Sequence, residues 1–520
     1  MTFYSHRLVT QSRHRTAIVA LLVFCATGLS SVSAPAAQPF NEVFGPRFKA
    51  SSDAPDASSN RPRRRAHDAA ELVLRWNQIA VDASGLDHTP VALGDTRKYG
   101  EQLGPGRSSR AMAIVHISMF DVVNTMLPRY RPYTRLKQPP LLTSMFAAIA
   151  QSAHDTLGAM YPSQTAAFDD ALAEDLATIP DGRTKANGIA FGHQAAAAIL
   201  LLRANDGSNY TEPKMDIEYI PGTAAGVWRQ DPISKVPIAL GASWGKVVPF
   251  VLLKQNQFRV PPPPSLTSPQ YTQAYAEVLA LGGDGITTPT IRTADQTETG
   301  IYWAYDGTPS LCAPPRLYNE IAVSIADQMG TTTHVVELVR LLALVNTAMA
   351  DAGIAVWESK FIYTFWRPVA GIRESDPGTG PSGSGDGNAD TIGDPTFAPL
   401  GAPASNLTGP NFTPPFPAYP SGHAGFGGAL FETLRRFYGT DDIAFTFVSD
   451  EFNGVTVDNA GNTRPLLPRS FASLSEAEEE NGQSRIYLGI HWAFDKTEGI
   501  KQGRRVADYV IDNAFVPLRR

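Results

Sequence analysis

The 520-residue sequence predicts an all-α fold of two helical lobes, with the active site in the C-terminal bundle. Three observations predict it. Apolar residues recur at helical steps through segment after segment, candidate strands are few and short, and a single cysteine, Cys312, remains once an N-terminal leader is set aside. One thiol makes no internal bridge, so a large core has to hold the chain, and 43% hydrophobic residues over this length supply one.

Residues 1–37 read as a secretory leader, which puts the mature protein in the periplasm or the medium. Arg7, Arg13 and Arg15 precede an apolar run from Ala17 to Leu29, and the small residues Ser33-Ala34-Pro35-Ala36-Ala37 follow it. That run is shorter than the ~20 residues a membrane span needs. Cys25 follows Phe24 rather than the small residue of a lipoprotein signal. Residues 38–68 read as a disordered linker, rich in Ser, Asp and Ala before the basic run Arg61-Pro62-Arg63-Arg64-Arg65. A formal charge of −6 gives no reason to expect nucleic acid or stable association with an anionic membrane.

The N-terminal helical lobe spans 69–292. Leu72, Trp76, Ile79 and Ala80 mark a helix over Ala69–Val81, and Ala111, Ile114, Ile117, Phe120 and Val123 mark another over Ser108–Met126. Further helical patterns cover about 142–161, 164–176 and 184–204. Residues 205–295, with four consecutive prolines at 261–264, read as irregular structure around a helix over Pro269–Leu281 and a candidate strand over Val247–Leu253. The C-terminal lobe, 293–520, opens with helices from Thr293 through Trp303 and over Pro314–Gln328. A long helix then runs from about Thr333 to Trp366 and is stopped by Pro368. Residues 369–419 are rich in Gly and Pro, and a loop of that length is expected to form part of a site wall.

Three short motifs carry chemistry. Lys360 and Arg367 are seven residues apart, two turns along the long helix, so both side chains are expected on one face. Their neighbours Val356, Trp357, Phe361, Phe365 and Trp366 are apolar, and a buried cation is costly unless it is paired or holds an anion. Ser421-Gly422-His423 begins a helical pattern through Phe426, Leu430, Leu434 and Phe437. Free N–H groups and the helix dipole favour an anion at that N-terminus, Gly422 allows close backbone approach, and His423 is placed to exchange a proton. Ser484-Arg485 closes a helix, Gly489 breaks the chain, and a further helix starts near His491. Asp495, one turn on, is expected to accept the second imidazole N–H and fix its tautomer. Fixed cations with hydroxyl and backbone donors suit a tetrahedral or trigonal-bipyramidal oxyanion, phosphate or vanadate.

The pattern K-x6-R-P, P-S-G-H, S-R-x5-H resembles the vanadium-dependent haloperoxidases, and also the type 2 phosphatidic acid phosphatases and bacterial class A acid phosphatases that share their fold. The stretches 416–424 and 486–492 resemble the haloperoxidase branch, as do 110–124 and 244–264. The resemblance implies vanadate as cofactor with His491 as its metal ligand, and Lys360, Arg367, Arg485, Ser421 and Gly422 on its oxygens. His423 acts as acid/base, and Lys360 also polarises hydrogen peroxide before bromide or chloride attacks it to give hypohalous acid. Trp357 and Phe416 match aromatic positions of a halide pocket, and Asp306 matches the carboxylate that pairs with the last arginine, Arg485. In the phosphatase relatives phosphate takes the site and His491 would attack phosphorus, giving a phosphohistidine. A non-catalytic oxyanion binder is a third reading, against which the intact His423 and His491 argue. The spacing of about 60 residues from His423 to Ser484 and the large N-terminal lobe favour the peroxidase, whereas Asp495 also fits the phosphatase pattern. The motifs leave halide, organic acceptor and oligomeric state open.

Overall fold

Helices dominate the computed structural model, which describes residues 37–51 and 66–518. The expected leader and the basic run at 61–65 lie outside the described residues, apart from the leader's last position. Residues 38–51 fall in the stretch expected as a disordered linker. They form a helical turn, α1 (Phe40–Val43), and a strand, β1 (Lys49–Ala50), because Phe44 and Phe48 are too apolar to leave in water and bury against Phe412. β1 pairs antiparallel with β2 (Leu407–Thr408).

Five helices follow: α2 (Ala69–Asp87), α3 (Gly104–Met126), α4 (Met145–Met160), α5 (Thr165–Ala177) and α6 (Arg183–Arg203). Asp68 caps α2 by accepting from the Ala70 and Glu71 N–H groups, and α2 runs past the expected Val81 because Ala83, Ser84 and Gly85 stay buried. The candidate strand at 247–253 does not form. The Phe250, Val251 and Leu252 N–H groups donate instead to the buried Asp351 carboxylate at 2.6, 2.8 and 2.9 Å, so this backbone is satisfied without a sheet.

Then come α7 (Pro269–Leu281), α8 (Ala294–Tyr302), α9 (Pro314–Gln328), α10 (Val335–Tyr363) and α11 (Pro368–Arg373). α10 is apolar on all sides because it is the core helix, packed by α3, α9, α12 (Gly422–Tyr438) and α14 (Ala493–Asn513). Its apolar stretch is long enough to cross a membrane, yet 94% of it is buried inside the fold. α10 ends three residues before the expected Trp366. Thr364 turns left-handed (φ 46°), and Arg367 is extended because the Pro368 ring disfavours helix in the residue before it. Lys360 and Arg367 therefore do not share a helix face.

α12 and α14 cross at backbone contact, since a Cβ on Gly503 would overlap the Gly425 carbonyl. Between them lie a hairpin, β3 (Phe445–Asn453) with β4 (Leu466–Phe471), and α13 (Leu474–Tyr487). Cys312 is a free thiol, fully buried, and burial pushes it up to about 12.

Candidate active site

The site is assembled where α12 and α14 begin. Ser421 is the N-cap of α12 and accepts from the Ala424 N–H, while its own N–H donates to the Asp495 carbonyl at 2.9 Å, tying the two helix starts together. Asp495 is the third residue of α14. Its carboxylate reaches back to the Trp492 N–H at 3.0 Å, and the same oxygen accepts from His491 Nδ1 at 2.8 Å. The cap that starts the helix thereby orients the imidazole.

Three buried cations come together here from three elements. Lys360, from the last turn of α10, donates to the Pro417 and Ala418 carbonyls at 2.8 and 2.9 Å and lies over the rings of Phe416 and Trp357 at 5.1 and 5.6 Å. Arg367, at the cap of α11, donates to the Phe416 and Ile490 carbonyls and through Nη1 to His491 Nε2 at 2.8 Å. Arg485, near the end of α13, is held by Asp306 through Nη2 at 2.7 and 2.8 Å. Its Nε and Nη1 are buried with no hydrogen-bond partner among the described residues.

The tautomers follow from these bonds. His491 Nδ1 carries its proton toward Asp495, which leaves the Nε2 lone pair facing Arg367. His423 Nε2 donates to the Ala304 carbonyl at 2.5 Å, so Nδ1 holds the lone pair. The Tyr318 hydroxyl and Asn481 Nδ2 both donate to the His423 carbonyl at 3.1 Å, fixing the backbone at this point.

Burial holds His491 well below the usual imidazole range, helped by Arg367, Lys360 and Arg485. Burial and then Arg485 do the same to His423. Burial and then Arg367 lower Lys360, and burial pulls Arg367 down to about 9 against the attraction of Asp495. Burial also raises Asp495 to about 7, against the Trp492 N–H, Lys360 and Arg367. The His491–Asp495 distance suits an ion pair, yet both shifts point to a neutral imidazole, and we assign that state because three cations already surround the ring. Three buried cations face two carboxylates, Asp306 and Asp495, so the site is short of negative charge.

A cavity of about 50 Å³ is lined by Gly422, His423, Arg485 and His491 together with Trp357 and Phe416. The rings of Trp357 and Phe416 lie 4.9 Å apart at 56°. Trp357 donates to the Leu240 carbonyl at 3.1 Å and packs where a side chain on Gly241 (φ 80°) would overlap it. All eleven residues singled out from the sequence meet at this one place. The Ala304 carbonyl, Tyr318 and Asn481 were not among them, because a carbonyl and two polar residues within helices leave no motif. Val43 and Phe44, which also line the cavity, were signalled only by the aromatic density of residues 40–48.

The donor set fits an oxyanion: Arg485 has two unspent nitrogens, Lys360 has used two of its three N–H bonds, and the α12 N-terminus adds backbone donors. A profile described as the VCPO second helical-bundle domain matches residues 340–518. Vanadium chloroperoxidase of Curvularia inaequalis is 30% identical over 506 residues, covering 81% of this chain and 78% of that protein. Among solved structures, a bacterial vanadium-dependent iodoperoxidase superposes with a TM-score of 0.68 at 20% identity, over 88% of this chain and all of the other. A holo bacterial vanadium-dependent chloroperoxidase gives 0.57 at 16% identity, over 78% and 92%. At these identities the two structures show the shared fold.

Proposed function

Since the chain belongs to the vanadium-dependent haloperoxidase family, we propose that it oxidises bromide or chloride with hydrogen peroxide at a bound vanadate and releases hypohalous acid. The observation that carries this reading is the excess of buried positive charge around the His491 lone pair, with Arg485 Nε and Nη1 left unpaired. His491 Nε2 would be the vanadium ligand, and Lys360, Arg367, Arg485, Ser421 and the Gly422 N–H would hold the oxygens. The chemistry that vanadate supplies when bound is Lewis-acid activation of peroxide toward halide.

The protein's own groups do the rest. Asp495 keeps the proton on His491 Nδ1, so the Nε2 lone pair, which accepts from Arg367 Nη1, would be free for vanadium once Arg367 turns that N–H to an oxygen, without a charge change on the ring. His423 Nδ1 accepts a proton from an incoming oxygen and returns it later, because Ala304 holds the other nitrogen as a donor. Lys360, pinned by two carbonyls, offers its remaining N–H to polarise peroxide. Trp357 and Phe416 give halide a dry wall in place of water. Under the same reading the leader at 1–37 exports the enzyme to the periplasm or medium, and the lobe at 69–292 supports the catalytic lobe at 293–520.

Apoprotein assayed with peroxide, halide and a phenolic dye tests the reading. Halogenation that requires orthovanadate and is inhibited by phosphate is the expected result. Hydrolysis of p-nitrophenyl phosphate inhibited by vanadate, without halogenation, would move the assignment to a phosphatase.

A further inference from the structure

Trp357 is fixed at both ends of its indole. A Cβ on Gly241 would lie 2.1 Å from Nε1 and 2.3 Å from Cδ1, and a Cβ on Gly422 would lie 3.2 and 3.3 Å from Cη2 and Cζ3 at the opposite edge. The ring therefore spans from the turn at 240–241 to the first residue of α12, where the oxyanion site begins. Its one polar atom, Nε1, donates to the Leu240 carbonyl at 3.1 Å. Whatever holds that turn also holds the face that Trp357 presents to Lys360 Nζ at 5.6 Å and to the Phe416 ring at 4.9 Å.

A buried ion pair holds the turn. Glu212, 2% exposed, accepts from the Gly241 N–H at 2.7 Å through Oε2, and its Oε1 accepts from Nη1 of Arg107, 4% exposed, in the first turn of α3. Arg107 Nη2 donates to the Tyr210 carbonyl at 2.6 Å, and its guanidinium lies over the Tyr210 ring at 4.3 Å. Gln38 fixes the Glu212 backbone with two further hydrogen bonds, at 2.8 and 3.2 Å. The desolvation cost of burying two opposite charges roughly cancels their attraction, so such a pair is a poor source of stability. Here its second carboxylate oxygen serves one backbone N–H, that of the residue packed against the indole. We propose that Arg107 and Glu212 are positioning residues for the halide pocket: their ion pair holds the turn at 240–241, and the turn seats Trp357 against Gly422 and Phe416. The halide role of that wall rests on the reading given under Proposed function. A carboxylate is required because each of its oxygens meets a donor, whereas a glutamine offers one oxygen and sets an NH2 group against the other donor.

Glu212→Gln keeps the side-chain volume and tests the pair. In isotope-labelled apoprotein followed by NMR, the Trp357 Nε1–H, assigned by its loss in Trp357→Phe, should exchange with deuterium at least about tenfold faster than in the wild type. The indole N–H groups of Trp76, Trp303 and Trp492, bonded to Asp175, Glu480 and the Trp366 carbonyl, should stay within about twofold. In steady-state assays the bromide KM should rise at least about fivefold, while the peroxide KM and the calorimetric orthovanadate affinity stay within about twofold. A measurement on the wild type carries the test should the variant fail to fold: the Gly241 amide and the Trp357 Nε1–H, released by one opening of the turn, should have protection factors within about tenfold of each other. Unchanged Trp357 exchange in folded Glu212→Gln, or wider separation of those two protection factors, overturns the positioning. Faster exchange with an unchanged bromide KM overturns the halide role of the pair alone. Absence of vanadate-dependent halogenation in the wild type overturns the reading under Proposed function and the halide role with it, and the exchange rates still decide whether the pair seats the indole.

Discussion

Arg485 commits one nitrogen to Asp306 and leaves two unspent, so its contribution is realised when an anion arrives. Arg485→Ala is expected to weaken phosphate or vanadate binding to the apoprotein by about 1.5–3 kcal/mol, the scale of a hydrogen bond to a charged group, as read by calorimetry. Asp306→Asn keeps an acceptor for Nη2 and should lose less. His491→Ala removes the Nε2 lone pair, so it should abolish vanadate-dependent halogenation while the folded apoprotein still binds phosphate. Retained halogenation would show that another group is the ligand. At this scale the sequence was readable because each motif juxtaposes residue types that are costly to bury without a ligand. The route by which Lys360 and Arg367 meet was not readable from spacing alone. Thr364 ends the helix between them, and a left-handed threonine carries no local signature.

Among the elements, the most legible were those with chemical punctuation at both ends. Ser268 followed by Pro269 at the first turn places the start of α7, and Ala313 followed by two prolines places the start of α9. The β3–β4 hairpin was not legible: its register shifts between Val448 and Asn453, which breaks the period-two pattern, and Pro468 lies within β4. Residues 247–253 look like a strand by composition, but Asp351 takes three of their N–H groups from the side of α10. Asp351→Ala should therefore destabilise the protein by about 3 kcal/mol or more, because several buried donors lose their acceptor at once. Asp351→Asn retains one acceptor oxygen and should fall between. Urea denaturation measures both, and a loss below about 1 kcal/mol for the alanine variant would mean that water satisfies those groups.

For the molecule as a whole, a chain of ionisable groups joins α4, α5 and α6. Asp169 accepts from His154 Nε2 at 2.7 Å, and Asp155 contacts His154 Nδ1 at 2.9 Å and His193 Nδ1 at 2.5 Å. Burial works against charge on His154, but its bonds to Asp155 and Asp169 outweigh that and raise it above 6.5, while His193 is raised by Asp155. Burial opposes ionisation of Asp155 as well, yet the two imidazoles bring it down to about 2. The histidine contribution is complete below 6.5 and is lost as pH rises through their raised values. The Asp155 contribution is complete above 3.8 and is lost as pH falls through about 2. His154→Ala should therefore lower Tm more at pH 5 than at pH 8.5 in thermal scans, and an equal loss at both would remove the charged clamp. This clamp was invisible in the sequence because the four residues come from three helices.

The fully buried Cys312 has a consequence for how the protein meets oxidants. Its thiol stays protonated across ordinary pH and has no exposed surface, so alkylating reagents and hypohalites in bulk solution find it closed. Sulfur chemistry at the surface passes instead to methionine, and Met329 is 43% exposed at the end of α9. Among the described residues, the first sulfur to change under oxidative stress should be that thioether, as a sulfoxide that a reductase can reverse, leaving the core untouched.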